Sequence, residues 1–137
     1  VSEIATVTAS PPLTEAVLRD ALDRFGRVRL TVTGDCMRPD LLPGDTVLIE
    51  AVERLAPRFG NIVLALFPSG PRLHRLVWRP FRGAWRTKAD RARTLDPPLA
   101  RSQVLGTVVA AGARGVSRRV WLGAASLLAA LARRVRP

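Results

Sequence analysis

A chain of 137 residues with 47% hydrophobic residues suits one folded domain with one core and argues against disorder. The formal net charge of +11 comes almost entirely from arginine, with Lys88 the only lysine, so a nucleic acid, an anionic membrane surface or an acidic partner each stays open beside a plain solvated Arg-rich face. A single cysteine, Cys36, and a single histidine, His74, exclude an internal disulfide, a cysteine metal cluster and a multi-histidine metal site; no metal or other cofactor is expected.

Residues 1–12 end in Ser10-Pro11-Pro12 and read as a loose leader. Val1–Ser10 shows neither a basic start nor a long apolar core, so no signal peptide is expected. Leu13–Phe25 carries apolar residues at helical spacing, with Gly26 as its stop. Arg27–Thr33 alternates with period two and predicts a strand. Turns come next at Gly34–Pro39 and Leu41–Asp45, then a strand at Thr46–Glu50. Further short strands are expected at Asn61–Phe67, Arg72–Trp78, Ala84–Lys88 and Val104–Ala110. Pro68–Pro71 reads as a tight connection, and Asp96-Pro97-Pro98 as a break.

The C-terminal part changes character. An apolar run, Val120–Ala132, lies between arginine pairs. As a helix it would be about 20 Å long, short of the roughly 20 residues needed to span a bilayer. It is expected either to pack on the domain or a second copy, or to lie on an anionic membrane surface. The expected division is 1–26 leader and helix, 27–112 β domain, and 113–137 basic-apolar helix.

Thr31–Glu50 (TVTGDCMRPDLLPGDTVLIE) holds the most chemistry. A strand delivers Cys36 to a turn opened by Gly34. Met37 is placed to anchor the loop in the core, and Pro39 stiffens the segment after it. A rigid platform presenting one thiol suits nucleophilic catalysis.

This stretch resembles the nucleophile box of the signal peptidase I/LexA-like peptidases, Gly-x-Ser-Met-x-Pro followed by Gly-Asp-x-Val. It matches at Gly34, Met37, Pro39, Gly44, Asp45 and Val47. Gly60-Asn61-Ile62-Val63 is similar to that family's Gly-Asp-Ile-Val. His74-Arg75-Leu76-Val77 is similar to the His-Arg-Val-Val of its archaeal and endoplasmic-reticulum branch. Thr87-Lys88-Ala89-Asp90 resembles Thr-Lys-Gly-Asp, and Val104–Val108 the closing Val-Leu-Gly-x-Val. The boxes occur in the family's order across roughly residues 28–110.

The resemblance implies a mainly β fold, a LexA/signal-peptidase-like β-coil, here with one N-terminal helix and a C-terminal apolar helix. It places Cys36 where the family has its nucleophilic serine, and His74 at the base position. Asp96 is then the carboxylate that orients His74, and Asp90 a supporting residue. The Cys36 backbone N–H would be the first oxyanion donor, within a substrate and oxyanion loop of Gly34, Asp35 and Met37. Cysteine with histidine is coherent chemistry: a free thiol titrates near about 8.5 and gains reactivity when an imidazole takes its proton.

The expected function is therefore cleavage of a peptide or protein precursor, bound as an added strand, at a cytoplasmic or peripheral membrane location. The rival expectation is a catalytically inactive binding or regulatory module on the same fold. A LexA-like DNA-binding role is disfavoured, because about 25 residues before the first box are too few for a helix-turn-helix domain, so nucleic acid is not an expected partner. The oligomeric state is left open.

Overall fold

The structure, a computed structural model, describes residues 5–7, 14–34 and 37–113. The elements run β1 (Ala5–Val7), α1 (Glu15–Phe25), β2 (Arg27–Thr31), β3 (Asp45–Ala51), β4 (Ile62–Phe67), β5 (Gly70–Trp78), β6 (Arg86–Lys88), a 3-10 turn (Arg101–Gln103) and β7 (Val104–Ala113). All seven strands join one sheet in the order β1-β2-β3-β7-β4-β5-β6. Every pairing is antiparallel except β1 with β2.

Helix α1 starts where Thr14 caps it, its side chain accepting from the Val17 N–H, which satisfies one of the orphan donors of the first turn. It ends at Gly26, in the left-handed region at φ 71°, where glycine carries no steric cost. One face, Leu18, Ala21 and Leu22, is buried against β2 and β3 through Val28, Leu30, Val47 and Ile49.

Strand β4 explains how one sheet serves two cores. Ile62, Leu64 and Leu66 enter the cluster under α1, whereas Val63 and Ala65 enter a second with Leu76, Trp85, Leu99 and Val104. A strand buried on both faces reads as a continuous apolar run. At Gly106 β7 packs tightly against β3: a Cβ there would lie 2.5 Å from the Glu50 carbonyl oxygen and 2.6 Å from Ile49 Cγ2. That close approach gives the glycine of the Val-Leu-Gly box a physical reason.

Three expectations need correction. The leader is not wholly loose, because Ala5–Val7 pairs in parallel with Val28–Leu30; three residues among Ser, Thr and Pro are too few to show a period. The strand expected from Ala84 begins at Arg86, since Trp85 makes an isolated bridge to Leu99. The expected pair of helices, one at each end, is also overturned. Among the described residues the fold is mainly β with a single α-helix, at the N-terminal end, and none is long and apolar enough to cross a membrane. Strand β7 instead carries the sheet on to Ala113. The run Val120–Ala132 lies outside the described residues. Helix propensity by itself is a weak guide to structure; among the described residues the main core cluster draws on side chains up to Ala111.

Candidate functional site

The site is built on β5. In the β4–β5 ladder His74 sits opposite Val63 and Arg75 opposite Ile62. Successive side chains of a strand point to opposite faces, so the two neighbours serve different faces of the sheet. Strand β6 continues the arrangement, with Thr87 opposite Leu76 and Lys88 opposite Arg75.

On the His74 face, Nδ1 lies 2.6 Å from Asp96 Oδ2. The same carboxylate oxygen accepts the Thr87 hydroxyl at 2.7 Å. Asp96 is itself fixed by its backbone: its N–H donates to the Thr87 carbonyl, and its own carbonyl accepts twice from Arg86. The Phe67 ring packs at 5.2 Å from the imidazole, tilted by 45°. His74 is 7% exposed, so its ring is held on one side by a carboxylate and on another by an aromatic face. An ionised carboxylate only accepts; with Asp96 charged, Nδ1 carries the hydrogen and Nε2 is the nitrogen able to take a proton.

On the other face, Arg75 is fully buried. Its guanidinium donates to both carboxylate oxygens of Asp90 at 2.8 and 2.7 Å, to Asp40 at 2.6 Å and to the Gly60 carbonyl at 2.7 Å. Burial works against its charge, but the hydrogen bonds and Coulombic attraction of Asp90 and Asp40 outweigh it and raise its pKa above the ordinary value. This fork ties β5 to the turn Met37–Asp40, immediately after the expected nucleophile. Asp90 thus stands on Arg75, and Asp96 on His74.

The loop itself is braced from several sides. Met37 is buried, and its sulfur accepts from the Asp90 N–H at 3.5 Å. The Leu41 N–H closes a helical turn onto the Met37 carbonyl. Gly44 adopts φ 90°, and the Asp45 carboxylate accepts from the Leu42 N–H at 2.9 Å, which accounts for the Gly-Asp pair as a turn lock. Asn61 does the same at the next box, accepting from the Arg58 N–H at 2.7 Å. Asn in place of Asp therefore keeps the acceptor.

A cleft of about 370 Å³ lies between the end of β2 and the start of β5, lined by Leu30 to Gly34, Met37, Leu41, Leu64 and Ser69 to Leu73. Gly34 and Met37 therefore face one space, which also reaches Leu73, on the face of β5 opposite to His74. Asp35 and Cys36 lie outside the described residues. Lys88 is buried opposite Arg75 and donates to the Ala89 carbonyl at 3.0 Å. Among the described residues no group of three or more His, Cys, Asp or Glu could hold a metal ion.

Sequence reasoning did not single out Asp40, Arg75 or Thr87 as parts of the site. Arg75 and Thr87 stand inside recognised boxes, and the period of two along β5 and β6 was the signal that separates their faces. Asp40 follows Pro39 directly, and only the folded turn brings it to Arg75. In comparisons with known proteins, no family model and no curated protein matches the chain.

Proposed function

We propose that this chain is a peptidase of the signal-peptidase/LexA-like kind, using Cys36 as nucleophile, His74 as base and Asp96 to orient the base. The observation that carries this reading is the 2.6 Å contact between His74 Nδ1 and Asp96 Oδ2, with Thr87 on the same carboxylate oxygen. A base that must hold one tautomer and stabilise its own positive charge needs such a carboxylate.

In the proposed cycle, Nε2 of His74 takes the Cys36 thiol proton, and the thiolate sulfur attacks the scissile carbonyl carbon. The oxyanion is received by the Cys36 backbone N–H. The C–N bond breaks as the imidazolium returns the proton to the departing amine, leaving a thioester. Water, giving its proton to His74, then releases the acid and restores the thiol. Arg75, Asp40 and Asp90 do not enter these steps; they fix the turn that follows Cys36 relative to the strand that carries His74. The substrate binds as an extended strand and places an apolar side chain in the cleft among Leu30, Val32, Met37, Leu41, Leu64 and Leu73.

The test is cleavage of a mixed peptide library read by mass spectrometry. Cuts that share an apolar residue near the scissile bond and vanish in Cys36→Ala are expected. No cuts, or the same cuts with Cys36→Ala, would leave the catalytically inactive module on this fold as the better account.

A further inference from the structure

From Arg54 to Ala89 every charged side chain is basic. Within this stretch the connection from β5 to β6 turns at Gly83, with φ 104°. It presents Phe81 at 88% exposure beside Trp78 at 60%, the two most exposed large hydrophobic side chains among the described residues. Arg79 and Arg82, which flank Phe81, are exposed as well. Two aromatic rings set in water among arginines, with no acid in the stretch to pair them, form a surface of one chemical character.

The loop is also held from behind. Arg101 donates to the Phe81 carbonyl at 2.6 Å and to the Pro80 carbonyl at 3.4 Å. Its guanidinium lies 5.6 Å from the Trp85 ring, and that of Arg79 lies 5.9 Å from the same ring. Pro80 has no N–H to satisfy. A tip whose carbonyls already have a protein donor loses less when it leaves water. We infer that the Trp78–Gly83 loop is a membrane-docking tip that seats Phe81 and Trp78 at the boundary of an anionic lipid surface, with Arg79 and Arg82 on its headgroups.

The chemistry favours lipid over single-stranded nucleic acid. Strand-binding proteins track a backbone in a basic groove lined by stacking rings, whereas these rings project from a tight exposed loop. Tryptophan is at home where one side is apolar and the other wet, and arginine near anionic headgroups gains from the surface potential. Trp78 follows His74 by four residues on β5, about 13 Å along the strand, so docking would hold the candidate site close to the bilayer. The inference does not depend on the site being catalytic.

The test uses the full chain with phosphatidylcholine vesicles, with and without phosphatidylserine, some carrying brominated acyl chains. Binding about tenfold tighter to the anionic vesicles is expected, along with quenching of a tryptophan component that Trp78→Phe removes. Phe81→Ser should weaken the binding about tenfold and Arg82→Gln by a smaller factor. Arg24→Gln, a charge change on the exposed face of α1, should leave it unchanged. Equal binding of Phe81→Ser and the native chain, with no quenching that depends on Trp78, would overturn the inference. So would protection of Trp78 by a single-stranded oligonucleotide, or by self-association of the chain, with no quenching by brominated lipid.

Discussion

His74 Nδ1 and Asp96 Oδ2 stand 2.6 Å apart across the β5 face, although 22 residues separate them in the chain. The Asp96 oxygen also takes the Thr87 hydroxyl, so its position is set independently of the imidazole. Asp96→Asn should therefore fold normally by circular dichroism. An amide facing Nδ1 favours the wrong tautomer, and a peptidase built on this pair should lose about a hundredfold or more in kcat/KM. Thr87→Val, which removes only the hydroxyl donor, should cost less, within about tenfold.

The buried fork of Arg75 makes a different prediction. Arg75→Met strands the Asp90 carboxylate, which is itself buried, without its bidentate partner. Removing one member of a buried ion pair typically costs about 3–5 kcal/mol, and urea denaturation should show a loss of that size. Asp40 is less buried and meets the guanidinium at Nη2, without the two-pronged grip of Asp90, so Asp40→Asn should cost clearly less. A similar loss for both would mean that Asp90 is satisfied without Arg75.

Two glycines from the recognised boxes should part company. Gly106→Ala drives a Cβ into the Glu50 carbonyl and Ile49, and overpacking of this kind costs about 1–3 kcal/mol. Among the described residues nothing lies within 4 Å of the position a Cβ on Gly34 would take, so Gly34→Ala should stay within about 0.5 kcal/mol of the native chain. Thermal melts of the two variants check both values. If Gly34→Ala melts normally yet cleaves poorly, the glycine serves the cleft and not the fold.

The sequence already exposed much of the sheet, because β2, β4, β5 and β7 announce themselves through alternation or continuous apolar character between Gly and Pro punctuation. Strand β1 stayed hidden because Ala5–Val7 is short and gains its place only by pairing with β2. The run Val120–Ala132 suggested a helix through its apolar composition between arginine pairs, and it lies outside the described residues. Within the site, the resemblance already set Asp96 beside His74, but it gave Asp90 no partner, and the pairing of Asp90 with Arg75 was not legible. That assignment comes from the pleat: His74 and Arg75 face opposite ways, so the two carboxylates are divided between them. Asp40 became visible only once the Met37–Asp40 turn was folded against β5.

The most direct measurement is the rate at which Cys36 is alkylated by iodoacetamide at about pH 6, compared across the native chain, His74→Ala and Asp96→Asn. A thiolate formed with the help of His74 should react well above the rate of free cysteine at that pH. His74→Ala should bring it down to the free-cysteine rate, and Asp96→Asn should place it between. A native Cys36 that reacts no faster than free cysteine, and is indifferent to both substitutions, would contradict the proposed pair.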